Sequence, residues 1–189
     1  MFNTLGALLA LLLAAGGQDE SHDRAMAELK PAVEKADKVF AELRQALLTR
    51  LTAELTQGGA LTALSACHDA APEITRRVLI TEGIEVGRTS HRLRNIHNRP
   101  PEWAADHVAD AAGRPAADVQ PLIVDLGDRV GVLRPIPTLA MCTTCHGPDD
   151  RISPDIQETL TALYPDDRAT GFSEGDLRGW MWAEVPKPR

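Results

Sequence analysis

Cys142-Thr143-Thr144-Cys145-His146 sets two thiols three positions apart, with an imidazole directly behind the second. C-x-x-C-H is the spacing at which a c-type haem is attached. Two thiols one turn apart add across the two vinyl groups of the porphyrin, and the adjacent imidazole then reaches the iron from the same face. Such attachment is made outside the cytoplasm. Two other chemistries share part of the pattern. A thioredoxin-like redox pair wants its first Cys at a helix N-terminus after a strand of a βαβ unit, and no such unit precedes Cys142. A zinc site needs four ligands, and no second Cys pair or closely spaced His pair follows, although His91 and His97 are six apart.

With His146 as one axial ligand, the opposite face of the iron needs another. Cys67, His68, Met141, His91 and His97 are the candidates. Met141 adjoins the attachment motif and cannot easily wrap around the ring. Cys67 and His68 both lie near the apolar arc of one helix, so periodicity does not separate them. A lone Cys on such a face is usually a small packed hydrophobe, and a lone His a satisfied core residue.

The elements that must position these groups follow from periodicity. Met26, Leu29, Val33, Ala36, Phe40, Leu43, Leu47, Leu51 and Leu55 recur at helical spacing up to Gly58-Gly59. A helix over residues 22–57 would be roughly 54 Å long, more than one small core needs, with Pro31 starting or kinking it. Its stripe lies either across a sheet or against a second copy of the chain. A second helix begins at Leu61 and carries Leu64, Cys67, His68, Ala71, Ile74 and Val78 on one arc, interrupted by Pro72. Residues 84–90 alternate as a strand, residues 95–101 are loop, and 102–112 form a short helix with Trp103 inward. Residues 122–126 and 130–133 flank Gly127-Asp128-Arg129 as a hairpin. Residues 155–163 make a further helix, and 177–185 a last strand containing Trp180 and Trp182. No repeat or low-complexity linker divides the chain, and the expected class is α+β.

The N-terminal run from Leu5 to Ala15 contains only Leu, Ala and Gly, too short for the roughly 20 apolar residues of a membrane span. Ala15-Gly16-Gly17 then leads into Gln18-Asp19-Glu20, the small-residue exit of a cleaved leader over residues 1–17. Periplasmic localisation follows, with no span left after cleavage; the n-region lacks Lys and Arg, and a buried helix is the competing reading. The 189 residues carry 20 Lys and Arg against 27 Asp and Glu, for a net charge of −7. That acidity argues against nucleic acid or anionic lipid as a partner. Three cysteines exclude a multi-disulfide scaffold. Residues 76–99 run against the trend, with six arginines against Glu82 and Glu85. On a strand, Arg88, Ser90, Arg92 and Arg94 share a face by period two, where guanidinium forks can bind haem propionates. A solvated basic strand is the plainer alternative.

Ala66-Cys67-His68-Asp69-Ala70-Ala71-Pro72-Glu73-Ile74, the run from Gly87-Arg88-Thr89-Ser90 through Arg92, Arg94, Asn95, Asn98 and Pro100 to Trp103, and Cys142-x-x-Cys145-His146-Gly147 occur in order. With Tyr164-Pro165, Asp167, Ala169, Gly171, Gly175-Asp176 and Arg178-Gly179, they resemble a family of exported c-type haem proteins with a PAS-like fold. The resemblance spans the chain after the leader. It implies a PAS-like antiparallel sheet flanked by helices, with residues 18–58 as a long N-terminal helix and 59–189 as the haem-binding domain. It further implies one covalent haem held by Cys142 and Cys145, with His146 and Cys67 as axial ligands and His68 as the alternative to Cys67. The expected function is a redox or diatomic-gas sensing module, with a small periplasmic electron-transfer cytochrome as the alternative. Two strong axial ligands argue against an enzyme. Haem, a redox or signalling protein, and a second copy through the N-terminal helix are the expected partners.

Overall fold

A computed structural model describes the backbone of residues 5–187 and, within it, the side chains of residue 24 and of residues 26–187 apart from Ala66. The expected leader begins outside the described residues, and its side chains all lie outside them. Helix α1 (Leu5–Glu82) is followed by β1 (Glu85–Thr89), α2 (Ala105–Asp110), β2 (Leu122–Asp125), β3 (Arg129–Pro137), α3 (Thr143–His146), α4 (Pro154–Leu163) and β4 (Leu177–Pro186). The fold is α+β. Its four strands form one antiparallel sheet in the order β1-β4-β3-β2. Among the described residues no helix is long and apolar enough to cross a membrane.

The long helix is in fact two arms. Gly59 leaves the helical region with φ 74° and ψ −168°, a conformation that glycine reaches without steric cost. Lys35 Nζ nevertheless donates to the Glu82 carbonyl at 3.0 Å. On an unbroken helix those residues would stand about 70 Å apart. The arm after Gly59 therefore folds back antiparallel to the arm before it. The apolar stripe meets both a sheet and this returning arm. Leu29, Ala32, Ala36, Val39, Phe40 and Leu43 form one core with Val86, Val130, Val132, Met181, Ala183 and Val185, and Ile74 and Val78 pack against it. Met26, at the start of the stripe, is exposed, whereas Val39, absent from the expected stripe, is fully buried. Pro31 and Pro72 both lie inside helical arms, and neither ends one.

Strand alternation separates two cores. Met181, Ala183 and Val185 of β4 face the α1 arms, and Trp180 faces the opposite way, onto Leu133, Leu177, Ala104, Val108 and Val119, with Trp103 and Trp182 alongside. Gly131 leaves room for the Trp103 ring, and Gly87 for that of Trp182. Pro135 and Pro137 are tolerated in β3 because β2 pairs only as far as Leu133, so the strand is an edge beyond that point. Opposite them the register slips. Ile136 pairs with Gly179 and Pro137 with Leu177, which leaves Arg178 outside the ladder as a bulge.

The basic strand is shorter than its sequence suggests. β1 ends at Thr89, so only Arg88 of the arginines stands on it, on the Val86 side that faces α1. Ser90 Oγ turns the chain by donating to the Arg178 carbonyl at 2.8 Å and accepting from the Arg92 amide. Arg92 and Arg94 therefore leave in different directions.

Candidate functional site

Cys142 ends a 3₁₀ turn and caps α3, so Cys142 and Cys145 fall one turn apart on a single helical face. Gly147 closes that turn, its amide donating to the Thr143 carbonyl at 2.8 Å. A Cβ at Gly147 would collide with the same carbonyl, so a glycine after the histidine is a steric demand of this turn.

The loop 164–172 cradles the motif. His146 Nδ1 lies 2.7 Å from the Ala169 carbonyl, which can only accept, so the ring proton is on Nδ1 and the lone pair on Nε2. That is the tautomer a metal-ligating histidine adopts, oriented by a backbone carbonyl on its other nitrogen. Phe172 N donates to the His146 carbonyl at 2.9 Å and Gly171 N to the Gly147 carbonyl at 2.7 Å. Asp167 holds the loop by accepting from the Ala169 amide at 2.7 Å and from Arg94 Nε at 3.0 Å. Arg94 Nη2 also donates to the Cys145 carbonyl at 2.6 Å. Arg94 thus braces the turn that carries Cys142, Cys145 and His146, and it is paired with Asp167.

The returning arm of α1 brings Cys67 to this place. Burial pushes the Cys67 thiol up, while Arg88, Arg94 and Arg50 pull it down. Burial also raises Cys145, with Arg94 opposing and the Cys67 and Cys142 sulfurs adding to the rise. The Cys145 side chain packs beside Leu64, Ile152, Ile156 and Leu160, where the arm meets α4. His68, one position on, sets its ring edge-on to Tyr164 at 5.1 Å, with Nδ1 2.9 Å from Asp69 Oδ1. Both axial candidates of this helix are half-buried, and Cys67 is the one in the field of the buried arginines. His91 stands edge-on to Phe172 in the field of Arg178, His97 is exposed in a 3₁₀ turn, and Met141 is exposed ahead of Cys142.

Arg92 is exposed, donates to the Thr170 carbonyl at 2.9 Å and lies over the Phe172 ring. Arg88 has no acidic partner among the described residues, and burial lowers its pKa. Arg178 stands in the Gly175–Gly179 run of the sequence, where nothing local marks it as functional. Its guanidinium lies over Phe172 and 3.3 Å from His146 Nε2, and burial beside Arg94 and Arg88 takes its pKa down to about 10. The signal that could have found it is the Gly179 after it, which lets β4 approach the Thr89 carbonyl where a side chain could not fit. Burial holds the His146 imidazole well below its ordinary value, and Arg178 and Arg94 push the same way, so it is neutral.

This donor set fits a haem: two free thiols on one turn, a neutral imidazole with its Nε2 lone pair available, a third free thiol nearby, and buried guanidiniums short of anions. It does not fit a bare ion. Among the described residues no three His, Cys, Asp or Glu side chains gather closely enough to hold one. A cavity of about 510 Å³ lies on the other side of the turn, lined by Thr143, Thr144, Arg151, Ile156, Phe172 and Glu174 and by none of the ligand candidates.

No curated protein matches the chain. The structure is similar to the crystal structure of the cyanobacterial heme-protein Tll0287, with a TM-score of 0.62 and 23% identity over 83% of this chain and 96% of that one. The sequence profile of the Tll0287-like family matches residues 18–186, nearly everything after the expected leader, and the chain therefore belongs to the Tll0287-like family.

Proposed function

We propose that the chain is an exported haem protein with one haem c, acting as a redox or diatomic-gas sensing module through Cys/His ligation. The carrying observation is the Nδ1–H of His146 fixed on the Ala169 carbonyl, which leaves Nε2 as a ligand beside two thiols on one turn. Cys142 and Cys145 would form the thioethers, His146 and Cys67 the axial pair, with His68 the substitute, and Arg88 and Arg178 would meet the anionic charge of the group. The chemistry supplied by such a group is one-electron transfer and binding of small diatomics. Thiolate ligation favours ferric over ferrous iron, so a haem held by Cys67 would be hard to reduce, and the hold of Cys67 on it would depend on oxidation state. With both axial positions filled, the reading is not an enzyme. Membership of a family that includes a haem protein supports haem as the ligand.

The test is to produce the chain with haem-attachment machinery and measure mass and absorption. Covalent haem in the wild type, reduced to one thioether in Cys142→Ala or Cys145→Ala, is expected; colourless protein of unmodified mass overturns the proposal. A thiolate-type ferric resonance lost in Cys67→Ala and kept in His68→Ala supports the axial assignment, and the reverse pattern refutes it. An electron carrier is the second reading, favoured by the exposed Leu139 and Met141 ahead of the turn and the open cavity against Thr143 and Thr144, which leave that flank accessible to a docking protein. Binding of CO to the reduced protein favours the sensor, and indifference to CO favours the carrier.

A further inference from the structure

Leu139, Ala140 and Met141 form an exposed run immediately ahead of Cys142. The residue before that run is tied to the loop over 173–176. The Thr138 amide donates to the Asp176 carbonyl at 2.8 Å, and the Thr138 carbonyl accepts from the Gly175 amide at 2.9 Å. Ser173 N donates to Asp176 Oδ2 at 2.7 Å, which closes the loop and leaves Glu174 exposed within it. Ala140 and Glu174 line one cavity with Arg151, whose 3₁₀ turn begins with the exposed Asp149 and Asp150. Asp155, exposed in the first turn of α4, falls between Ser153 and Ile156, which line the same cavity. The apolar run is therefore rimmed by Asp149, Asp150, Asp155 and Glu174 against Arg151. Charge is concentrated here: residues 139–176 hold eight acids and two arginines, so six of the chain's seven net negative charges fall in this stretch.

We propose that this flank is the docking surface for a small, lysine-rich one-electron carrier, with Leu139 and Met141 as its apolar centre and the carboxylates as its rim. The proposal rests on the reading of the chain as a haem protein and adds the charge of the partner that exchanges electrons with it. Rim carboxylates draw in a positive patch and speed the encounter, whereas an acidic carrier or an anionic lipid surface is repelled. The two exposed apolar side chains then lose water at the centre of the contact, directly beside the residue that would tether the haem. A thiolate-held iron that is hard to reduce gives its electron up readily, so this chain is the donor. The carrier gains the one electron that the iron of this chain loses, and no bond forms or breaks.

The test uses the full chain loaded with haem and reduced, with ferric cytochrome c as the lysine-rich probe and ferricyanide as the anionic control. The rate with cytochrome c should fall about 10-fold between 0.05 and 0.5 M ionic strength, and the rate with ferricyanide should not fall. At the lower salt Glu174→Lys should slow the reaction with cytochrome c about 5-fold and speed that with ferricyanide. Asp128→Lys makes the same change of charge in the β2–β3 turn, at the other end of β3 and roughly 30 Å away, beyond the Debye length of about 14 Å, and should alter neither rate appreciably. Leu139→Ser should weaken the complex at every salt concentration and keep the salt slope. A wild-type rate with cytochrome c that does not fall with salt, or equal losses in Glu174→Lys and Asp128→Lys, overturns the surface. Should a variant fail to fold, the wild-type salt slope decides together with amide NMR, in which cytochrome c should shift residues 139–141 and 174. Those shifts also read the surface without the iron. Coloured protein with no shifts there sinks the surface alone, and colourless protein that shows them sinks the haem reading alone.

Discussion

Arg94 meets Asp167 at 3.0 Å with only 11% and 10% of the two side chains exposed, and this pair joins the attachment turn to the loop that orients its histidine. Asp167 also holds the Ala169 amide, and the Ala169 carbonyl receives the His146 ring proton. Removing one partner strands a buried charge, which costs about 3–5 kcal/mol. Asp167→Ala should therefore lower the Tm by roughly 6–20 °C for a chain of this size. Asp167→Asn keeps an acceptor for Ala169 and should lose less. Denaturant melts of the three proteins check the order, and equal stability of all three would show that the pair does not brace the turn.

His91 gives the fold a sign-defined pH dependence. Burial lowers its pKa, with Arg92 and Arg178 adding to the effect, its Nδ1 is buried without a partner, and its ring meets Phe172 at 5.8 Å. A histidine with a depressed folded pKa binds fewer protons folded than unfolded. Its contribution is complete above the unfolded value of about 6.5 and is lost as pH falls through the folded one. His146 acts in the same sense, so stability of the haem-free chain should decline on acidification below about pH 6.5. Urea midpoints at a series of pH values should give a shallower slope for His91→Gln than for wild type.

Much of this was legible in the sequence. Period 3.6 located both α1 arms, period 2 located β1, and Gly127 marked the β2–β3 hairpin, because each is a local pattern. The Cys142-x-x-Cys145-His146 turn was legible for the same reason, since a fixed short spacing puts its two thiols on one helical turn. What was hidden is non-local. The stripe before Gly59 reads the same whatever covers it, and the return of the second arm shows only in Lys35 on the Glu82 carbonyl and in Ile74 and Val78 packed against the stripe. Arg94 and Asp167 lie 73 residues apart, and nothing local links them. Arg92 and Arg94 looked like one strand face until the strand ended at Thr89.

Gly59 makes the hairpin testable on its own. A side chain there would meet no atom, so the cost of Gly59→Ala is purely the backbone at φ 74°. With ψ at −168° the position lies in a region essentially reserved for glycine, where a residue with a Cβ costs about 1–3 kcal/mol. Gly58→Ala, by contrast, would strike Thr62 and should destabilise through that contact. Melts of the Gly59→Ala, Gly59→Asn and Gly58→Ala variants separate the two causes: at a ψ of −168° asparagine has no advantage over alanine, so both Gly59 variants should lose alike.

The three arginines first grouped by sequence should behave differently in the haem-loaded chain. Arg88 is half-buried on the sheet face that meets α1, without a carboxylate partner among the described residues, and its field reaches Cys67. Loss of that positive charge favours the oxidised iron, so Arg88→Met should lower the reduction potential, by about 60 mV if the interaction is worth a factor of ten for one electron. Arg92 stands in solvent, where its charge is screened, and Arg92→Ala should leave the potential nearly unchanged. Arg94→Met removes a cation already balanced by Asp167, so its first effect should be on stability and on the fraction of chains that carry haem. Potentiometric titration alongside thermal melts distinguishes the three. Equal shifts in potential for Arg88→Met and Arg92→Ala would mean that burial does not set which arginine the site feels, and the pairing of Arg88 with Cys67 would have to be abandoned.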